Sequence, residues 1–142
     1  MHSGKILIEA SSVEDDGCCT FDVTITRGKI EAHMHFYGNT DAWKEFGRQL
    51  TNFPQNVADS HSFESGLNRR HTDFMVLRAY CYDALGHTAL QVLLDNNENL
   101  PAKCRLEFSL LAEAASINKL GLLLTNWQVE HDSNILWEAQ TS

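Results

Sequence analysis

The feature that most limits how this chain can fold is an internal repeat. Gly47, Leu50, Thr51, Asn52 and Phe53 are matched by Gly121, Leu124, Thr125, Asn126 and Trp127 at a constant offset of 74 residues. In that register Trp43, Phe46, Leu50 and Phe53 fall on Ile117, Leu120, Leu124 and Trp127, an apolar stripe at helical spacing in both copies. Upstream, Ile30, Ala32, Met34 and Phe36 alternate with Glu31, His33 and His35, and they fall on Cys104, Leu106, Phe108 and Leu110, which alternate with Arg105, Glu107 and Ser109. Alternation with a period of two marks a strand with one buried face. A strand and a helix that register together without a gap point to one structural unit used twice.

The flanking segments enlarge that unit. Phe21, Val23 and Ile25 alternate with polar residues and lead through "TRGK" into the Ile30 strand as a hairpin. Leu90, Val92 and Leu94 lead through the longer "DNNENLP" loop into the Cys104 strand, and "KILIEA" and "DFMVLRAYCYD" supply a strand before each hairpin. Each half therefore reads as strand, strand, strand, helix. The expected fold is a single α+β domain over 1–142, mainly antiparallel sheet with two β-β-β-α repeats whose helices pack on one face. The half-repeats span about 4–53 and 74–127, joined by an irregular connector over 54–73, and Ile135 and Trp137 suggest a short strand in the tail. Asn39, Thr40 and Asp41 are expected to cap the first helix and Pro54 to stop it. Leu122 and Leu123, where the first helix has Arg48 and Gln49, predict a more buried second helix.

At 142 residues the chain is long enough to fold on its own core without metal or disulfide. Its first residues form neither a secretory signal nor a membrane span, so a cytoplasmic protein is expected. Cys18, Cys19, Cys81 and Cys104 have no paired spacing and read as reduced thiols, with Cys104 as a small core residue at an inward strand position. Nineteen acidic against eleven basic residues give a formal charge of −8, the opposite of what phosphate binding requires, so nucleic acid is not an expected partner.

Catalytic signatures are sparse. His33 and His35 share one side of a strand about 7 Å apart, with Glu31 on the same face and Glu107 or Ser109 as the third ligand a zinc site would need. An enzyme using that face is one alternative reading. His87 reads as a strand-opening residue with Asp83 in the preceding turn; His61, His71, Glu64 and Asp73 form a polar group in the connector. The chain has no nucleophile elbow, no phosphate-binding glycine loop and no H-E-x-x-H, so a non-enzyme without cofactor is expected.

The helix "GNTDAWKEFGRQLTNFP", the hairpin "DFMVLRAYCYDALGHTALQVLLD", the following "CRLEFSL" and the acidic balance together resemble small bacterial immunity-type proteins of polymorphic and contact-dependent toxin systems. That resemblance implies a non-catalytic cytoplasmic protein that binds one cognate toxin domain and blocks it. The candidate contacts are the loop acids Glu14, Asp15, Asp16, Asp95 and Glu98, which would meet a basic surface. A structural homodimer through Leu122, Leu123 and Trp137 is a further alternative.

Overall fold

A computed structural model of the chain describes residues 4–66 and 73–141. The elements run β1 (Gly4–Ser11), β2 (Cys18–Arg27), β3 (Ile30–Asn39), α1 (Lys44–Thr51), β4 (Ser60–Ser65), β5 (Phe74–Cys81), β6 (Thr88–Asp95), β7 (Arg105–Leu111), α2 (Ala114–Asn126) and β8 (Asn134–Glu138). They form two antiparallel four-stranded sheets, ordered β3-β2-β1-β8 (sheet A) and β4-β5-β6-β7 (sheet B). The strand expected near Ile135 is β8. The stretch expected as an irregular connector contains β4, whose inward side chains include Phe63, packed against Trp43 with ring centroids 3.9 Å apart.

With β4 and β8 included, each repeat is β-β-β-α-β, and the fourth strand crosses to the other copy. β8 pairs with β1 of the first repeat, and β4 pairs with β5 of the second. Neither repeat can complete its sheet alone. The correspondence is detailed: Val23 opposes Met34 as Val92 opposes Phe108, and Ile8 opposes Val23 as Leu77 opposes Val92. The longer β6–β7 loop accounts for the shift of register before β3 and β7.

The two helices cross at Gly47 and Gly121. A Cβ at Gly121 would lie 2.8 Å from the Gly47 carbonyl oxygen, and one at Gly47 would lie 3.0 Å from that of Gly121. Only a residue without a side chain lets the two backbones approach this closely. Equivalent residues also cap each other's helix. Lys44 Nζ donates to the carbonyls of Thr125 and Trp127 at the end of α2, and Asn118, 74 positions later, donates to those of Leu50 and Phe53 at the end of α1. Helix C-termini leave carbonyls unpaired, and a lysine there also opposes the helix dipole.

The inner faces of both sheets and the helix stripes merge into one core, with Trp43, Trp137, Phe21 and Phe53 among its fully buried side chains. Three local expectations are corrected. Cys104 lies just before β7 and is exposed, because the β6–β7 loop holds its amide against Asn96 outside the sheet. The first helix starts only at Lys44 with Trp43 as its N-cap, since the segment from Asn39 is taken up by turns. Finally, Leu122 is 49% exposed, so α2 buries a stripe no broader in kind than that of α1.

Candidate partner-binding surface

The charge is not spread evenly. Residues 6–26 and 120–142 contain no Lys or Arg but hold Glu9, Glu14, Asp15, Asp16, Asp22, Glu130, Asp132 and Glu138, which leaves eleven acids against eleven bases elsewhere. These two stretches are distant in sequence. The fold joins them, because they supply β8 and all of β1 and β2 except Gly4, Lys5 and Arg27, three adjacent strands of sheet A. All eight side chains belong to exposed residues. Glu9 opposes Asp22, and Asp22 opposes His35, so a carboxylate row crosses the outer face, and Glu138 opposes Lys5, the one Lys or Arg of that face within the strands' alternation. The Asp132 amide donates to the Ala10 carbonyl, and the Ser12 amide donates to His131 Nδ1, which sets Glu130 and Asp132 at the end of β1, from which the chain runs on to Glu14–Asp16.

Within that turn Asp16 accepts the Cys18 amide at 3.0 Å, and this bond holds its carboxyl below the usual range. The same carboxylate pushes the exposed Cys18 thiol up, so Cys18 is a poor nucleophile. Glu14, Asp15 and Asp16 are thus exposed and face solvent as expected.

Asp95 and Glu98 are not part of this surface. Asp95 is only 6% exposed and accepts the Asn97 amide at 2.8 Å, both contacts of Lys103 at 3.1 and 3.2 Å, and Arg105 at 3.0 Å. These bonds, the Asn97 amide foremost, hold its carboxyl low, so it serves to fasten the β6–β7 loop rather than to meet a partner. Glu98 is half-buried in the same loop. Asp95 lines a cleft beside Glu31–Met34, whereas Glu14 lines one beside Tyr37 and Gly38 at the other end of β3. The strand rise puts those ends about 15–20 Å apart.

The metal alternative fares likewise. His33 and His35 do share the exposed side of β3, and Glu31 Oε1 lies 3.7 Å from His33 Nε2. His33 Nδ1 is engaged by the Thr24 hydroxyl at 3.0 Å. Glu107 and Ser109, proposed from the repeat as a third ligand, belong to β7 in the other sheet, where Glu107 accepts from Gln91 and Ser109 pairs with the Tyr80 hydroxyl. Among the described residues, no three His, Cys, Asp or Glu side chains are grouped closely enough to hold a metal ion. In the former connector, His61 pairs with Asp59 at 3.0 Å, whereas His71 lies outside the described residues.

Two clefts at equivalent places in the repeats complete the surface. One, of about 430 Å³, is lined by Tyr82, His87, Leu111 and Glu113 among others; its counterpart, of about 340 Å³, is lined by Glu14, Cys18, Tyr37 and Gly38. The sequence reading missed the first cleft and the acids of β1, β2 and β8. A usable signal for the acids was present, namely the absence of Lys and Arg from two long stretches. No helix among the described residues is long and apolar enough to cross a membrane. Compared with family models, curated proteins and solved structures, the chain matches none.

Proposed function

We propose that this chain is an immunity-type binding protein, acting in the cytoplasm, whose acidic sheet A face docks on a basic surface of a toxin domain and thereby blocks it. The observation that carries this reading is the clustering of eight exposed acids on β2, β1, β8 and their adjoining turns, where Lys5, Arg27 and Lys29 are the only Lys or Arg. Sheet B and the helices carry acids too, Glu45, Glu64, Asp95 and Glu107, but there Lys44, Arg48, Arg78, Arg105 and Lys119 offset them. The four strands, 8, 10, 10 and 5 residues long and about 4.8 Å apart, present roughly 500 Å², about two-thirds of the about 800 Å² per partner that a specific protein complex buries. The same face repels nucleic acid, so inhibition of a nuclease toxin would act on the enzyme and not on its substrate.

The test is co-purification with the C-terminal domain of a large secreted protein encoded beside this gene, together with rescue of growth when the two are expressed together. A stable complex and rescue are expected. The double variant Glu9→Lys, Asp22→Lys should lower the association rate about tenfold or more at low ionic strength, with the difference shrinking as salt is added. Absence of both complex and rescue overturns the reading for that partner; an unchanged association rate overturns the placement on sheet A.

A further inference from the structure

We propose that β3 is an open sheet edge on which the protein partner adds a basic extended segment as a further strand of sheet A, an assignment that rests on the partner-binding reading above. β3 borders the sheet, is 10 residues long and pairs with β2 along its whole length without a bulge. Native proteins blunt such borders with lysine, proline, bulges or short strands. The other border of sheet A, β8, is short, at 5 residues. β3, which reads "IEAHMHFYGN", uses none of these devices.

The register fixes which backbone groups this edge offers. The two-residue turn Gly28-Lys29 sets Arg27 opposite Ile30, and such a turn closes on a hydrogen-bonded pair, after which non-bonded and bonded pairs alternate. Two contacts agree with that phase. The Thr40 amide donates to the Gly17 carbonyl at 2.9 Å, an even number of pairs further along, and the Thr24 hydroxyl meets His33 Nδ1 at 3.0 Å in a non-bonded pair, where side chains lie closest. Glu31, His33, His35 and Tyr37 therefore turn their amides and carbonyls away from β2. Among the described residues, these groups have no hydrogen-bond partner. The same four residues are exposed, with their side chains on the outer face of sheet A.

The twin strand shows that the fold does not demand an open edge. β7 borders sheet B, but it has 7 residues and carries Arg105, and its Ser109 carbonyl, at the position that matches His35, accepts from Arg27 Nη1 at 3.1 Å. Arg27 thus plugs that edge. Its counterpart in the second copy is Asn96, whose side chain is taken up by Ala102, Glu98 and Cys104 of its own loop. In place of a plug, a cleft of about 230 Å³ lies between Glu31–Met34 and the Asp95, Asn96 and Cys104 side.

Charge selects the occupant. β3 has no Lys or Arg, Glu31 stands at the cleft, and the outer row that ends at His35 carries Glu9 and Asp22. Lys103 and Arg105, on either side of Cys104, are held by Asp95, and Lys29 stands in the turn before the open groups. A second copy of this chain would bring another formal charge of −8 to the seam. A strand with Lys or Arg at alternate positions instead sets cations beside Glu31 and on the side of Asp22, while its backbone satisfies the edge. The outer face alone offers roughly 500 Å² of the about 800 Å² that a specific complex buries per partner, and a strand on β3 extends the contact at its long border.

The test is titration of the full ¹⁵N-labelled chain with the peptide acetyl-Lys-Val-Lys-Val-Lys-Val-Lys-amide, followed by amide shifts and hydrogen exchange. In the free chain the amides of Glu31, His33, His35 and Tyr37 should exchange at least about tenfold faster than those of Ala32, Met34 and Phe36. The peptide should shift the first set saturably, with a Kd on the order of 1 mM or tighter, and slow its exchange severalfold, while Glu107 and Ser109 of β7 stay still. A Glu-Val peptide of the same length and a fully N-methylated Lys-Val peptide, which has no amide to give, should do neither. His35→Pro removes an edge amide that β2 does not use and should weaken binding severalfold; where that variant fails to fold, the N-methylated peptide carries the same comparison. Equal response to either control peptide, equal shifts on β7, uniform exchange along β3, or no saturation overturns the proposal. Since the titration uses the chain without its partner, its failure is told apart from a failure of growth rescue.

Discussion

Replacing Gly121 by Ala should destabilise the protein even though alanine is the better helix former. On propensity alone, a mid-helix Gly→Ala change adds about 1 kcal/mol. Here the new Cβ would lie 2.8 Å from the Gly47 carbonyl oxygen, 2.8 Å from the Thr51 amide nitrogen and 2.9 Å from the Leu50 carbonyl carbon. These are backbone atoms of α1, so no side chain can rotate away, and relief requires the helices to separate by several tenths of an ångström. Overpacking of that kind costs about 1–3 kcal/mol, occasionally more. The separation would also lengthen the bonds that Asn118 makes to Leu50 and Phe53 at 2.9 and 2.7 Å. A net loss of about 1–2 kcal/mol follows, read as a lower urea midpoint with unchanged slope. Gly47→Ala should behave alike, its Cβ lying 2.7 Å from Thr125 Oγ1 and 2.9 Å from the Thr125 amide nitrogen. Since either substitution forces the same separation, the double variant should lose less than the sum of the two. A Gly121→Ala protein more stable than wild type by about the propensity increment would refute the close crossing.

Asn118→Ala should cost about 1–2 kcal/mol, because two part-buried carbonyls lose their donor, whereas Asn126→Ala, at an exposed site, should cost far less; equal midpoints in denaturant would refute the capping role. Asp95→Asn should flatten the acid limb of stability against pH: a carboxyl held below its ordinary value of 3.8 contributes stability that is complete above that value and is lost as pH falls through the depressed folded value. Thermal midpoints measured between neutral and strongly acid pH should therefore converge for the two proteins at the acid end. Leu122→Arg, which copies the residue of the first repeat, should change stability by no more than about 0.5 kcal/mol, and a larger loss accompanied by a fall in sedimentation mass toward 16.0 kDa would mean that a second copy covers this leucine.

What was legible in the sequence is what depends on one face of one element. The alternation in β3 and β7 and the stripes of α1 and α2 follow directly from burial, and they carried the repeat. The strand exchange was not legible, since β4 reads "SHSFES" and only its partner shows which side is inside. Reciprocal capping escaped because Lys44 and Asn118 share a task and not a side-chain type. Asp95 reads as a surface acid in the sequence because a loop acid and an ion-paired one look alike until Lys103 and Arg105 are placed around it. Cys104 was misplaced for a related reason: the period of two extends one residue beyond the strand that it describes.

The repeat also supplies a way of separating fold from function within a single chain. Where both copies keep the same residue, as at Gly47 and Gly121 or Thr51 and Thr125, geometry demands it: each threonine hydroxyl donates to the carbonyl of its own copy's glycine. Where the copies solve the same problem with different residues, as Lys44 and Asn118 do, the task is structural and the chemistry is free. Where one copy carries groups that its twin does without, the fold cannot be the reason. The outer face of sheet A bears Glu9, Asp22 and His35 in one row, while the matching row of sheet B carries Arg78 and Gln91 bonded to each other at 2.9 Å. Beside Gly86 the second copy has Tyr82, His87 and Glu113 at positions where the first copy has Val13, Cys18 and Asn39. The acidic row of sheet A is therefore a departure that sheet assembly does not require, and the proposed docking to a basic partner rests on it.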